Sequence, residues 1–235
     1  TITVTDSSAD AGKLNTIDSK TDVAVSITSG TITGTLSDVK TLYDANDVAK
    51  RVTGLGSETV TISDTALDAA KLKSVEAATD KDVTVSAASS IKGLIADLNT
   101  VYGKVGANQG ILGLGNETVT VTDTTVASAT LATVAGKTTG VVGFDSAVKT
   151  ISGSKTEVEA ILTEAEKTSP GIDASALTLK LDVSTSLKIS EANAIAARTT
   201  GILKASLLES GDQQKLEKLL ATDGGLTSGH EISLT

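Results

Sequence analysis

The chain has 235 residues, a formal charge of −9, one histidine, and no cysteine, methionine or tryptophan. The absence of cysteine excludes disulfides, thiolate chemistry and sulfur-ligated metals, and leaves the compartment open. The twenty Lys and Arg are scattered and the only aromatic residues are Tyr43, Tyr102 and Phe144, so the basic stripe and stacking platforms that nucleic-acid binding needs are missing.

From Thr1 the chain reads TITVTDSSADAGKLNTIDSKT, which returns as TVTISDTALDAAKLKSVEAAT from Thr59 and as TVTVTDTTVASATLATVAGKT from Thr118. Asp6, Asp64 and Asp123 recur 58 and 59 residues apart, and Asp182 in LTLKLD continues the series another 59 on. A fixed period of this length is the mark of stacked units sharing one core. The repeats are assigned to residues 1–58, 59–117, 118–173 and a divergent 174–230, with 231–235 (EISLT) opening a further one. A start at Thr1 without an initiator residue, and ends that fall in phase, suggest a processed product or a window onto a longer array.

The second repeat is the clearest. Val60 and Ile62 alternate with Thr and Ser, the period of a strand buried on one face. Asp64 ends this strand, and Thr65xxAsp68 has the form of a capping box before Ala69, Leu72 and Val75. The first repeat offers Ser7xxAsp10 with Leu14 and Ile17. The third offers Leu131 and Val134 without the acidic partner. A second strand follows with Val83 and Val85 inward, then a second helix with Leu98, Val101 and Tyr102 on one stripe. That stripe recurs as Val39, Leu42 and Tyr43, as Val158, Ile161 and Leu162, and as Leu216, Leu219 and Leu220. The helix starts are predicted at Thr35xxAsp38, Ser154xxGlu157 and Ser210xxGln213. GLGSE (54–58) and GLGNE (113–117) close two repeats with turns, and SPGID (169–173) closes the third.

Each repeat is therefore read as strand, helix, strand, helix, with a structural half-unit of about 30 residues, eight of which fit the chain. Strands joined through helices must pair in parallel. The expected fold is an α/β repeat solenoid of short parallel strands alternating with short helices, the alternatives being a β-helix decorated with helices and a compact globular α/β fold made from duplicated units. Its interior is aliphatic and thin, because the apolar residues are almost all Val, Ile, Leu and Ala.

Candidate chemistry is sparse. The GLGxE glycines precede a strand, whereas a phosphate-binding loop opens a helix, so they read as structural turns. Asp6, Asp64, Asp123 and Asp182 form a recurring carboxylate column that could take calcium. The GGxGxD pattern of calcium-binding repeats is absent, however, and capping of the following helix is the reading preferred for all four. The TxT strands invite comparison with hydroxyl arrays that bind ice, but TxT occurs in one of every two strands and fails at residues 177–181. His230 has no triad partners, and the pairs Glu157 with Glu159 and Asp80 with Asp82 read as solvated faces, so no enzyme is expected. No apolar run approaches the roughly 20 residues of a membrane span.

In TVTVTDTT, the TTG turn at 138–140, TISGS, TITGT and GLGNETVT, the chain resembles the Thr-, Ala- and Gly-rich tandem repeats of very large cyanobacterial surface proteins. Those are labelled hemolysin-type calcium-binding or adhesin-like, and similar repeats occur in cyanophage appendage proteins. The resemblance implies a non-catalytic structural segment of an extracellular fibre, surface layer or virion appendage, located outside a cell, at its surface or on a virion. Its expected partners are copies of itself, as a homo-oligomer or lattice, or neighbouring structural proteins. The alternative is an adhesin or ligand-binding module that uses the sheet face, with calcium as a stabiliser. No other cofactor is expected.

Overall fold

A computed structural model describes residues 1–47, 51–107, 109–168, 171–208 and 230–234. The stripe Leu216, Leu219, Leu220 and its start at Ser210xxGln213 lie outside these residues. The protein is α/β, with parallel strands in sheets alternating with helices, and the chain divides into two units, Thr1–Thr118 and Val119–Thr235.

Unit 1 runs β1 (Ile2–Val4), β2 (Ser8–Asp10), α1 (Ala11–Ser19), β3 (Val25–Ile27), β4 (Thr31–Gly34), α2 (Leu36–Asp47) and β5 (Val52–Thr53). It continues with β6 (Thr59–Ile62), β7 (Ala66–Asp68), α3 (Ala69–Glu76), β8 (Val83–Thr84), β9 (Ser90–Gly93), α4 (Ile95–Gly103) and β10 (Ile111–Leu112). All pairing is parallel: β1 with β3 with β5, β2 through β4, β6 and β8 to β10, and β7 with β9. Consecutive helices pack on one another from α1 to α4.

The register aligns Ala9, Ile32, Val60, Val83 and Ile111 across the five-stranded sheet. All five are buried. Helix stripes close over them: Val39, Leu42 and Tyr43 from α2, Leu72 and Val75 from α3, and Leu98, Val101 and Tyr102 from α4 are buried. In α1, Leu14 is buried and Ile17 only half-buried.

The repeat differs from the predicted strand, helix, strand, helix order, because two or three strands precede every helix from α1 to α6. The four residues read as a capping box, Thr65 to Asp68, mostly form the second of these strands, with Leu67 inward. The cap is Asp68 itself: its backbone is extended (φ −100°, ψ 120°) and its carboxylate accepts the Lys71 N–H at 2.9 Å. Asp10 does the same for Lys13 at 2.9 Å. Thr65 and Ser7 use their backbone carbonyls instead, accepting from Ser89 and from Gly30. The second-helix starts match the sequence reading. The Asp38 N–H reaches the Thr35 hydroxyl at 3.1 Å, and Ser154 and Glu157 form a reciprocal box.

Unit 2 runs β11 (Thr118–Val121), β12 (Thr125–Ala127), α5 (Ser128–Ala135), β13 (Val142–Phe144), β14 (Thr150–Gly153) and α6 (Lys155–Ala165). A 3-10 turn (Ala174–Thr178), β15 (Lys180–Val183), α7 (Ile189–Ala196), β16 (Leu203–Leu207) and β17 (Glu231–Leu234) follow. Here β11 pairs with β13, and β12, β14, β15, β16 and β17 pair in that order, again in parallel. Val126, Ile151, Leu181 and Leu203 form the buried row. At α5 the predicted lack of an acidic partner holds: Ala127 occupies the cap and makes no side-chain bond.

Strands β9 and β14 end in glycine because the preceding helix starts against them. A Cβ on Gly93 would lie 2.7 Å from the Ala69 Cβ, and one on Gly153 would lie 2.7 Å from the Ser128 hydroxyl. Both approaches are closer than packed atoms tolerate.

If Asp68 is the cap, Asp68→Ala should cost about 0.5–2 kcal/mol of stability in denaturant titration. Thr65→Ala, which leaves the backbone carbonyl in place, should cost much less.

Candidate functional site

The most deeply placed polar groups of unit 1 lie in the GLGxE turns. Glu58 is 2% and Glu117 1% exposed. The Glu58 carboxylate folds back to accept the Gly56 N–H at 2.8 Å and the Ser57 N–H at 2.9 Å, and it takes a third hydrogen bond from the Tyr43 hydroxyl. Glu117 repeats the arrangement with Gly115 at 2.8 Å, Asn116 at 3.1 Å and the Tyr102 hydroxyl. The Glu58 carbonyl also accepts from the buried Thr79 hydroxyl at 2.7 Å.

The turn needs Gly54 at φ +88°, where an added Cβ would collide with the Ile27 carbonyl. Burial, and then the bond and charge of Glu58, push the Tyr43 hydroxyl far above its usual ionisation range. Tyr43 is therefore a fixed donor at any physiological pH. With three donors on a carboxylate removed from water, this is a latch that holds the turn against α2. It presents no free base or nucleophile.

Sequence reasoning placed Tyr43 and Tyr102 in the packed stripe, where they are, and missed their hydroxyl partners. The available signal was a Tyr-to-Glu spacing of 15 residues in the first two repeats. The third repeat has neither residue: Leu162 takes the stripe position, and of its SPGID closure only Gly171, Ile172 and Asp173 lie among the described residues. There Glu164, from α6, accepts the Gly171 N–H at 2.9 Å and pairs with Lys167.

The four recurring aspartates are not equivalent. Asp64 does cap a helix, but the preceding one: it accepts the Leu36 N–H of α2 at 2.7 Å, 28 residues back. Asp6 is exposed at the first edge, and Asp123 is half-buried just after β11. Asp182 does not end its strand; it lies within β15 and pairs with Lys204 at 2.8 Å. The ladder explains the slip. Gly34 stands opposite Ile62, and Gly153 opposite Val183, so Thr185 occupies the place of Asp64. Its hydroxyl accordingly accepts the Lys155 N–H at the start of α6, at 3.0 Å. Among the described residues no three His, Cys, Asp or Glu side chains gather around a common centre.

The outward sheet face of unit 1 is a hydroxyl lattice. Thr31 lies beside Thr59, with their hydroxyls 3.0 Å apart, and Thr33 beside Thr61 and Thr84. On the other sheet Thr3, Ser26 and Thr53 form a second row. The sequence objection that TxT occurs in only one of every two strands does not apply to the pair β4 and β6, because β4 also carries Thr31 and Thr33 and lies beside β6.

In unit 2 the outward face carries charge instead. Asp182, Lys204, Glu231 and Lys180 form two ion pairs, and the Ser206 and Ser233 hydroxyls meet at 3.1 Å. Asp182, Lys204, Glu231, Ser206 and Ser233 line an open hollow of about 530 Å³ with His230, whose Nδ1 accepts the Leu203 N–H at 2.9 Å.

Comparisons with family models, with curated proteins and with solved structures return no match.

Tyr43→Phe should lower stability by about 1–3 kcal/mol, the cost of leaving one buried partner unmet. In a double-mutant cycle with Glu58→Gln the two losses should be strongly non-additive. Acid sensitivity should appear in unit 2. The Lys167 ammonium and the Gly171 N–H hold the Glu164 carboxyl below its usual range, and the Arg198 guanidinium does so for Glu166. Such depressed groups stabilise the fold above their unfolded pKa and lose that contribution as pH falls through the folded value. Thermal midpoints should therefore drop below about pH 4.5, near the ordinary glutamate range, and Arg198→Ala should reduce the drop.

Proposed function

We propose that this chain is a non-catalytic structural repeat protein: an α/β solenoid segment of an extracellular fibre, surface layer or virion appendage. The observation that carries the reading is the use made of the repeated polar groups. Glu58, Glu117, Tyr43, Tyr102, Asp64 and Thr185 are all engaged in holding turns and helix starts. What recurs is architecture, and no reactive group recurs with it. Strand-on-strand and helix-on-helix contacts between neighbouring segments fit a stack in which each layer needs only its neighbours. The acidic, thiol-free composition suits solvent exposure outside a cell.

The second reading is an adhesin working through its sheet face, and the observation favouring it is the change of that face between units. Threonine rows in unit 1 give way to ion pairs around a hollow in unit 2, as a recognition surface would vary while its scaffold stayed constant. Calcium enters as a stabiliser of either reading through the aspartates. Against it, Asp64 and Asp182 already hold a backbone N–H and a lysine.

Antibodies raised against the chain should label unpermeabilised cells, or intact particles, of the source that makes it. Label confined to the cell interior sinks the extracellular reading. The thermal midpoint should be the same in chelator and in excess calcium, whereas a drop in chelator means that a metal is a folding ligand.

A further inference from the structure

We draw no further inference here: the strongest candidate, the outward sheet face of unit 1 on which Thr31 stands beside Thr59 and Thr33 beside Thr61 and Thr84, is an unpartnered surface, and nothing in the structure shows what covers it.

Discussion

In-register parallel pairing is the constraint from which the rest of this structure follows. Because side chains alternate at a period of two, pairing Ile32 with Val60 and Val60 with Val83 sets every inward residue directly beside its neighbours. The interior is then a row of aliphatic side chains one layer deep, closed by a helix stripe that must rise to the same height in every layer. A tryptophan or phenylalanine in one layer would have to be answered in the next. The composition agrees: Tyr43 and Tyr102 sit at matching stripe positions and direct their hydroxyls to the buried carboxylates of Glu58 and Glu117. The close helix approach that keeps the layers thin also requires the strand-end glycines, Gly93 and Gly153.

A thin layered core creates a second demand, because every layer has turns and helix ends whose backbone groups lie near the interior. An orphaned buried donor costs about 1–3 kcal/mol, so acceptors must recur with the layers. The chain meets this with side chains borrowed across layers as well as within them. Asp64 and Thr185 serve helices that begin 28 and 30 residues earlier in sequence, and Asn15 donates to the Asp38 carbonyl of the next helix. Ion pairs add a further tie along the helices: Lys104 with nearly buried Glu76, Lys155 with Glu191 and Arg198 with Glu166 each join successive segments. The exposed pairs are individually weak, so their main effect is on the alignment of one helix with the next.

Much of this was legible in the sequence where a signal was local. Alternation marked Val60 and Ile62 as inward, three-residue spacing marked the helix stripes, and Ser154xxGlu157 announced its box. What was not legible depended on pairing between layers. Thr65xxAsp68 has the letters of a capping box, yet its middle residues join the sheet through β9 and leave Asp68 to cap alone. Asp64 looked like the cap of the helix after it, because sequence adjacency cannot reveal that the chain has already passed beside the helix before it. Asp182 kept the arithmetic of the repeat and lost its place in the ladder, since register follows hydrogen bonds and residue counting does not.

The same distinction separates the positions that build this protein from those free to give it a partner. A residue whose side chain points inward, or ends a turn, is fixed by the layer above and the layer below, and Glu58 and Glu117 differ in nothing but their neighbours. A residue on the outward face meets only solvent and its counterparts on the flanking strands, so it can change without disturbing the buried row. That is where the two units diverge: Thr33, Thr61 and Thr84 form a neutral row in one, and Asp182, Lys204 and Glu231 an alternating charged row in the other. Both rows satisfy the sheet equally well, so the fold does not choose between them. On the proposed reading, the choice of a neighbouring molecule falls to these outward residues, and the pairing beneath them keeps their spacing constant.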